Sequence, residues 1–169
     1  DFAFTETSII QMKIPKSVKI IGNNAFYNYF QIFEIQENSE LNFIGRGAFD
    51  STRITDICIP SKVSKICSEA FYNCTNLEKI EFRSNSKLQV IEPLVFSNSS
   101  FKNFPLSPNI IKICSSAFYY CLDLRQFEIP KDSKLETIEK DAFSKTIIEE
   151  LYFPNNLNEL KEGWCSCLE

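Results

Sequence analysis

SEAFYNCTNLEKIEF occupies residues 68–82, and SSAFYYCLDLRQFEI occupies residues 115–129, forty-seven residues further on. Both contain Ala-Phe, a Cys three places after the Phe, and a Leu three residues ahead of an apolar-x-apolar pair. Extending the comparison outward turns this pair into a rhythm. Small-Phe pairs fall at Ala3-Phe4, Ala25-Phe26, Ala48-Phe49, Ala70-Phe71, Ala117-Phe118 and Ala142-Phe143, with Val95-Phe96 and Gly163-Trp164 on the remaining beats. The aromatic positions step by 22, 23, 22, 25, 22, 25 and 21 residues. Internal repetition with a period of roughly 20–50 residues is the mark of a stacked architecture.

The other apolar residues keep the same time. An apolar-x-apolar pair recurs from Met12/Ile14 to Leu151/Phe153, preceded three residues earlier by Ile9, Phe30, Ile54, Leu77, Phe101, Leu124 or Ile148. An apolar-x-x-apolar pair follows, from Val18/Ile21 to Leu157/Leu160. Two apolar residues flanking a polar one alternate as a half-buried strand does, and Pro at 15, 60, 130 and 154 ends that strand. One such unit buries too little apolar surface to offset the ordering of its own backbone, so neighbouring units must supply the rest.

The unit L-x-x-I-x-I-P-x-x-V-x-x-I-G-x-x-A-F-x-x-C resembles the BspA-like leucine-rich repeat. IPKSVKIIGNNAFYNY (14–29) and IPSKVSKICSEAFYNC (59–74) carry it almost whole. The resemblance implies a leucine-rich-repeat solenoid. The expected form is a right-handed coil of about seven 21–25-residue repeats. It has a parallel β-sheet on the concave face and short strands, turns or 3-10 segments on the convex side. It also implies a surface or secreted setting and adhesion to host-cell or extracellular-matrix proteins. Residues 1–169 read as a single domain. The absence of a polar cap at either end leads to the expectation of a fragment of a longer array, or of end-to-end self-association.

Two departures stand out. Pro105 lies inside a strand pair, where a bulge or weak pairing is expected. Trp164 takes the place of Phe and Gly163 that of Ala after a segment one residue short, so the last unit is expected to be distorted.

Composition removes several function classes. The chain is 44% hydrophobic and 24% charged with net charge -4, and it holds no Lys/Arg run. A nucleic-acid partner is not expected, nor is direct insertion into a membrane, since no apolar stretch approaches a bilayer's thickness. The absence of His excludes Cys-His and Ser-His-Asp catalysis and most catalytic zinc sites. No Gly-rich phosphate loop is present, and the neighbouring Glu149 and Glu150 should face opposite ways on a strand. An enzyme is not expected, and nothing calls for a cofactor or metal.

Cys74, Cys121 and Cys167 sit three residues after the aromatic, while Cys67 and Cys114 hold the place of Gly22. Equivalent cysteines two rungs apart lie about 10 Å from each other, too far for a disulfide. In-unit bridges, Cys67–Cys74 or Cys114–Cys121, stay open. Cys165-x-Cys167 is too short for a usual zinc knuckle.

Two surfaces could do work. Beside the buried strand residues, one outward row reads Lys13, Glu34, Cys58, Glu81, Pro105, Glu128, Tyr152, and the row before it reads Gln11, Ile32, Asp56, Lys79, Asn103, Gln126, Glu150. In leucine-rich repeats this is the concave face. Such a mixture suits a protein ligand; the plainer reading is a solvated sheet face. After the Ala-Phe pair come Tyr27, Tyr29, Tyr72, Tyr119 and Tyr120, in loops of every second unit. These either line a binding edge or lie flat on the Phe core. Asn73 and Asn98 head glycosylation sequons on that edge. The functional expectation is an adhesion or protein-binding module, with a structural spacer or an intracellular interaction scaffold as alternatives.

Overall fold

The computed structural model describes residues 1–4, 11–28, 31–36 and 38–165. Its strands in chain order are β1 (Gln11–Ile14), β2 (Ile20–Ile21), β3 (Ile32–Ile35), β4 (Phe43–Ile44), β5 (Asp56–Ile59), β6 (Lys65–Ile66), β7 (Lys79–Phe82), β8 (Val90–Ile91), β9 (Asn103–Pro105), β10 (Lys112–Ile113), β11 (Gln126–Glu128), β12 (Thr137–Ile138) and β13 (Glu159–Leu160). Each turn of the solenoid has three sides: a strand of three or four residues, a two-residue strand, and the Ala-Phe turn. All pairing is parallel, and the coil is of the right-handed kind that its repeat implies.

Alternation within the longer strand sets its faces. In β5, Ile57 and Ile59 are buried while Asp56 is exposed. The second side forms ladders β2-β4-β6 and β8-β10-β12-β13. The longer strands pair as β1-β3, β5-β7 and β9-β11.

Pro105 accounts for one of the breaks between these pairs. Lys79 N–H donates to the Thr55 carbonyl at 3.2 Å and Arg83 N–H to that of Ile59 at 3.0 Å, which makes Glu81 the donor position between them. Pro105 holds that position one turn later and has no N–H, so β9 does not pair with β7. The register to β11 stays in step, Asn103 to Gln126 through Pro105 to Glu128. The weak pairing expected at Pro105 is therefore seen on one side only, without a bulge.

The third side is held by backbone rungs. Phe26 N–H reaches the Ala48 carbonyl at 2.8 Å, Phe49 that of Ala70 at 2.8 Å, and Phe118 that of Ala142 at 2.8 Å. Left-handed backbone brackets each turn, at Asn24, Gly47, Glu69, Leu94, Ser116 and Asp141 before the Phe and at Asn28, Ser51, Asn73, Asn98, Tyr120 and Lys145 after it. Non-glycine residues accept this conformation because the rungs above and below specify it.

Phe4, Phe26, Phe49, Phe71, Phe96, Phe118 and Phe143 form one internal column. Successive ring centroids are 5.0–5.6 Å apart and successive planes lie within 23° of parallel. Ala at the preceding position, fully buried at 48, 70, 117 and 142, leaves room for the backbones to close on one another.

Trp164 does not continue this column, which corrects its alignment with the Phe position. Phe143 N–H donates to the Trp164 carbonyl at 3.0 Å, as Phe118 does to that of Ala142. Trp164 N–H closes onto the Lys161 carbonyl at 3.0 Å, as Ala48 N–H closes onto that of Gly45. Trp164 thus occupies the Ala position. Cys165, five residues after Leu160, occupies the Phe position, as Phe143 does five residues after Ile138. No residue is missing from the last unit. The indole meets Phe143 edge-on at 6.2 Å and Phe153 edge-on at 5.5 Å.

Gly45 is needed where the first turns approach most closely. A Cβ there would stand 2.6 Å from the backbone nitrogen of Asn23 and 2.6 Å from the carbonyl carbon of Gly22. Gly45→Ala is expected to cost about 1–3 kcal/mol, the range for forced overpacking, read as a lower urea midpoint. Cys67→Ala, at the same position one turn later, should change the midpoint by much less.

Candidate binding surface

The longer strands bring the two outward rows together as the repeat requires. Lys13 lies beside Glu34 in register, and their side chains pair at 2.7 Å. Asp56 lies beside Lys79 and Cys58 beside Glu81, and Lys79 pairs with Glu81 at 2.6 Å. The hydrogen bond between Lys79 and Glu81 raises the pKa of the lysine and lowers that of the carboxylate. Both pairs are more than half exposed, so they orient charge and add little stability. Asn103 Nδ2 donates to Glu128 Oε1 at 2.7 Å, and the backbone of Gln126 forms a parallel β-bridge with that of Glu150. Tyr152 is 78% exposed and donates its hydroxyl to Glu150 Oε2 at 2.9 Å. Glu149 turns instead to Arg125, 3.4 Å away, so the two adjacent carboxylates serve different partners. These groups border an open groove of about 580 Å³ that runs from Lys102 and Asn103 to Tyr152.

Two further grooves were not foreseen. In alternate turns the loop after the longer strand is extended, and a buried serine shapes it. Ser39, Ser86 and Ser133 each accept, through Oγ, the N–H of the residue two places on. Between the extended loops lie short ones. A groove of about 370 Å³ is floored by Pro60 and Ser61 and walled by Asn38 and Arg83. A second, of about 580 Å³, is floored by Pro105 and Leu106 and walled by Asn85 and Asp132. The sequence signal was the alternation of repeat lengths itself.

On the Ala-Phe edge, Tyr27, Tyr72 and Tyr119 occupy one position, each just after a column Phe. Tyr27 and Tyr72 are each 38% exposed and Tyr120 is 44% exposed. Tyr119 and Tyr120 meet at 5.2 Å with a 51° tilt. Among the described residues no tyrosine ring stacks on the Phe column. Tyr29 lies outside the described residues. One residue on, the sequon asparagines are tied into the stack: Asn98 Nδ2 donates to Asn73 Oδ1 at 2.6 Å and Asn73 Nδ2 to Ser51 Oγ at 3.1 Å.

The buried cysteines have a role that the sequence did not reveal. Three residues after the aromatic come Thr52, Cys74, Ser99, Cys121 and Thr146, all buried. Cys74 Sγ donates to the Phe49 carbonyl at 3.0 Å, Ser99 Oγ to that of Phe71 at 3.4 Å, and Cys121 Sγ to that of Phe96 at 3.1 Å. Each thus satisfies a buried acceptor of the preceding turn. Burial pushes the thiols of Cys74 and Cys121 up to about 12. Cys67, Cys74, Cys114 and Cys121 form no disulfide, so neither in-unit bridge is present. No cluster of potential metal ligands occurs among the described residues, and Cys167 lies outside them. No helix among the described residues is long and apolar enough to cross a membrane.

Comparison with solved structures places the fold among bacterial repeat proteins. A leucine-rich repeat protein from Bacteroides ovatus superposes with TM-score 0.69 at 25% identity, over 90% of this chain and 45% of that one. A leucine-rich repeat protein from Eubacterium ventriosum gives TM-score 0.71 at 24% identity, over 94% and 42%. The pneumococcal vaccine antigen PcpA gives TM-score 0.68 at 22% identity, over 94% and 40%. The chain therefore spans less than half the length of these structures. No curated protein matches the chain. The model of the BspA type leucine rich repeat region matches residues 1–121 and 43–167 in six copies. Together with the Phe column and the three-sided turns, that match makes the chain a member of the BspA-type leucine-rich repeat family.

Proposed function

We propose that this solenoid is a non-enzymatic protein-binding module of a cell-surface or secreted protein, engaging a host-cell or extracellular-matrix protein. The observation that carries the reading is the outward face of the longer strands. Rung after rung it presents exposed Lys13, Glu34, Asp56, Lys79, Glu81, Gln126, Glu128, Glu150 and Tyr152, and their hydrogen bonds and ion pairs run sideways to one another. Such an array is rigid, open to a large partner, and without the convergent acid–base geometry of a catalyst. The occurrence of a vaccine antigen among the structural neighbours supports a surface setting.

The test uses the full chain as bait against host-cell surface and matrix proteins, beside the double exchange Lys79→Glu with Glu81→Lys. The exchange keeps an ion pair but inverts the charge pattern. Stability should move by less than about 0.5 kcal/mol, while affinity for a captured partner falls by roughly tenfold or more. Failure to capture any partner would argue for a spacer, and capture that ignores this exchange and substitution of Tyr152 and Glu150 would take binding away from this face.

A further inference from the structure

We propose that the tyrosine edge is a binding track for a polyproline II segment, a proline-rich or collagen-like stretch, laid along the solenoid axis. This rests on the reading of the protein as a binding module and names the kind of chain it takes.

Tyr27, Tyr72 and Tyr119 share one position in alternate turns. Each backbone is fixed in a tight turn, the Tyr72 N–H bonding the Glu69 carbonyl at 3.0 Å and the Tyr119 N–H that of Ser116 at 3.1 Å. The turns between carry Asp50 and Ser97 at this position. Ser97 is withdrawn, 2% exposed, with its hydroxyl donated to the Tyr119 carbonyl at 2.9 Å. Asp50 is only partly exposed and accepts the Ser51 hydroxyl at 2.8 Å. The edge therefore sets the exposed rings of Tyr27 and Tyr72, and the half-buried ring of Tyr119 that leans on Tyr120, between shorter, recessed side chains. The Phe rings one residue earlier step by 5.0–5.6 Å per turn, so the tyrosine positions recur at roughly 10–11 Å, two rungs of a parallel stack.

A polyproline II helix repeats every three residues, about 9 Å, with every third side chain on one face. One residue per helical turn can enter each recess and pack on the flanking ring. The helix has no internal hydrogen bonds, so its carbonyls need donors, and aromatic grooves with hydroxyl or indole donors are the usual receptors for it. The hydroxyls of Tyr27, Tyr72 and Tyr119 have no protein partner among the described residues and recur once per ligand turn. A β-strand covers a similar distance in three residues, but its period of two turns every third side chain to the opposite face. An α-helix could match only through positions seven apart, and its carbonyls are already bonded internally.

The test measures binding of a proline decamer and of a Gly-Ser decamer by calorimetry. The proline decamer is expected to bind, with the Gly-Ser peptide at least roughly tenfold weaker. Tyr72→Ser should weaken the proline decamer by roughly tenfold, and Tyr27→Ser with Tyr72→Ser and Tyr119→Ser should abolish binding. Tyr152→Ser, on the other face, should leave it unchanged. Circular dichroism and a urea titration confirm that each variant is folded. Failure of the proline decamer to bind, equal affinity of the triple variant, or tyrosine-dependent binding of a β-linked glucan oligosaccharide in its place overturns the proposal. If host-protein capture persists and depends on the Lys79/Glu81 exchange while the decamer fails, only this track is lost. If capture fails as well, the binding-module reading falls with it.

Discussion

Phe71→Ala is expected to lower the stability of the folded array by about 3–5 kcal/mol, the cost of emptying a large, fully buried aromatic site. The ring is 0% exposed and sits between Phe49, 5.0 Å away and parallel within 1°, and Phe96, 5.5 Å away and tilted by 13°. Two consequences separate this substitution from an ordinary core truncation. Nearest-neighbour coupling is what holds a solenoid together, so a gap in the middle of the column uncouples the turns on either side. Urea unfolding followed by circular dichroism should show a lower midpoint and a broader or two-step transition. Phe71→Leu should recover part of the loss, because a branched aliphatic refills much of the space without the stacking. A change below about 1 kcal/mol for Phe71→Ala would mean that the column contributes shape and not cohesion.

The second large effect is alkaline. Cys74 and Cys121 are fully buried, and burial pushes both thiols up to about 12, against 9.0 for the thiol of an unfolded chain. The folded state therefore keeps both protons over a range in which the unfolded state has released them. Where the unfolded state binds fewer protons, stability falls as pH rises. The window opens near the unfolded value and closes near the folded one, with a slope of roughly 1.4 kcal/mol per pH unit for each thiol. Moving from pH 8 to pH 10.5 should remove roughly 4 kcal/mol in all, a large share of the stability of a domain of this size. The variant with both Cys74→Ser and Cys121→Ser keeps a donor at each site, as Ser99 already does in the turn between, and does not titrate. Its urea midpoint should be flatter over the same pH range, keeping the smaller share due to Cys114, whose thiol burial pushes up to about 11. Parallel pH curves for the two proteins would show that the thiols play no part.

Much of the fold was legible in the chain. The apolar rhythm identifies which side chains turn inward at each of three sides, and the recurrence of Ala-Phe identifies the column. The outward rows followed from the same alternation, and Lys13 beside Glu34 and Lys79 beside Glu81 stand where the repeat put them. The end of the column was misread because it was counted by aromatic character. Trp164 looked like the next Phe, yet the phase of each Ala-Phe turn is set by the backbone bonds that follow the two-residue strand. Those bonds put Cys165 in the slot five residues after Leu160.

Periodicity along the chain determined which residues face the core, since burial of one face is a local choice repeated at every rung. Which atoms meet between rungs was decided by tertiary structure. Donation of the Cys74 and Cys121 thiols to carbonyls of the preceding turn and the amide bond from Asn98 to Asn73 each join residues 25 positions apart. Their distances depend on how closely successive turns pack, and no single repeat, read alone, contains its neighbour's backbone.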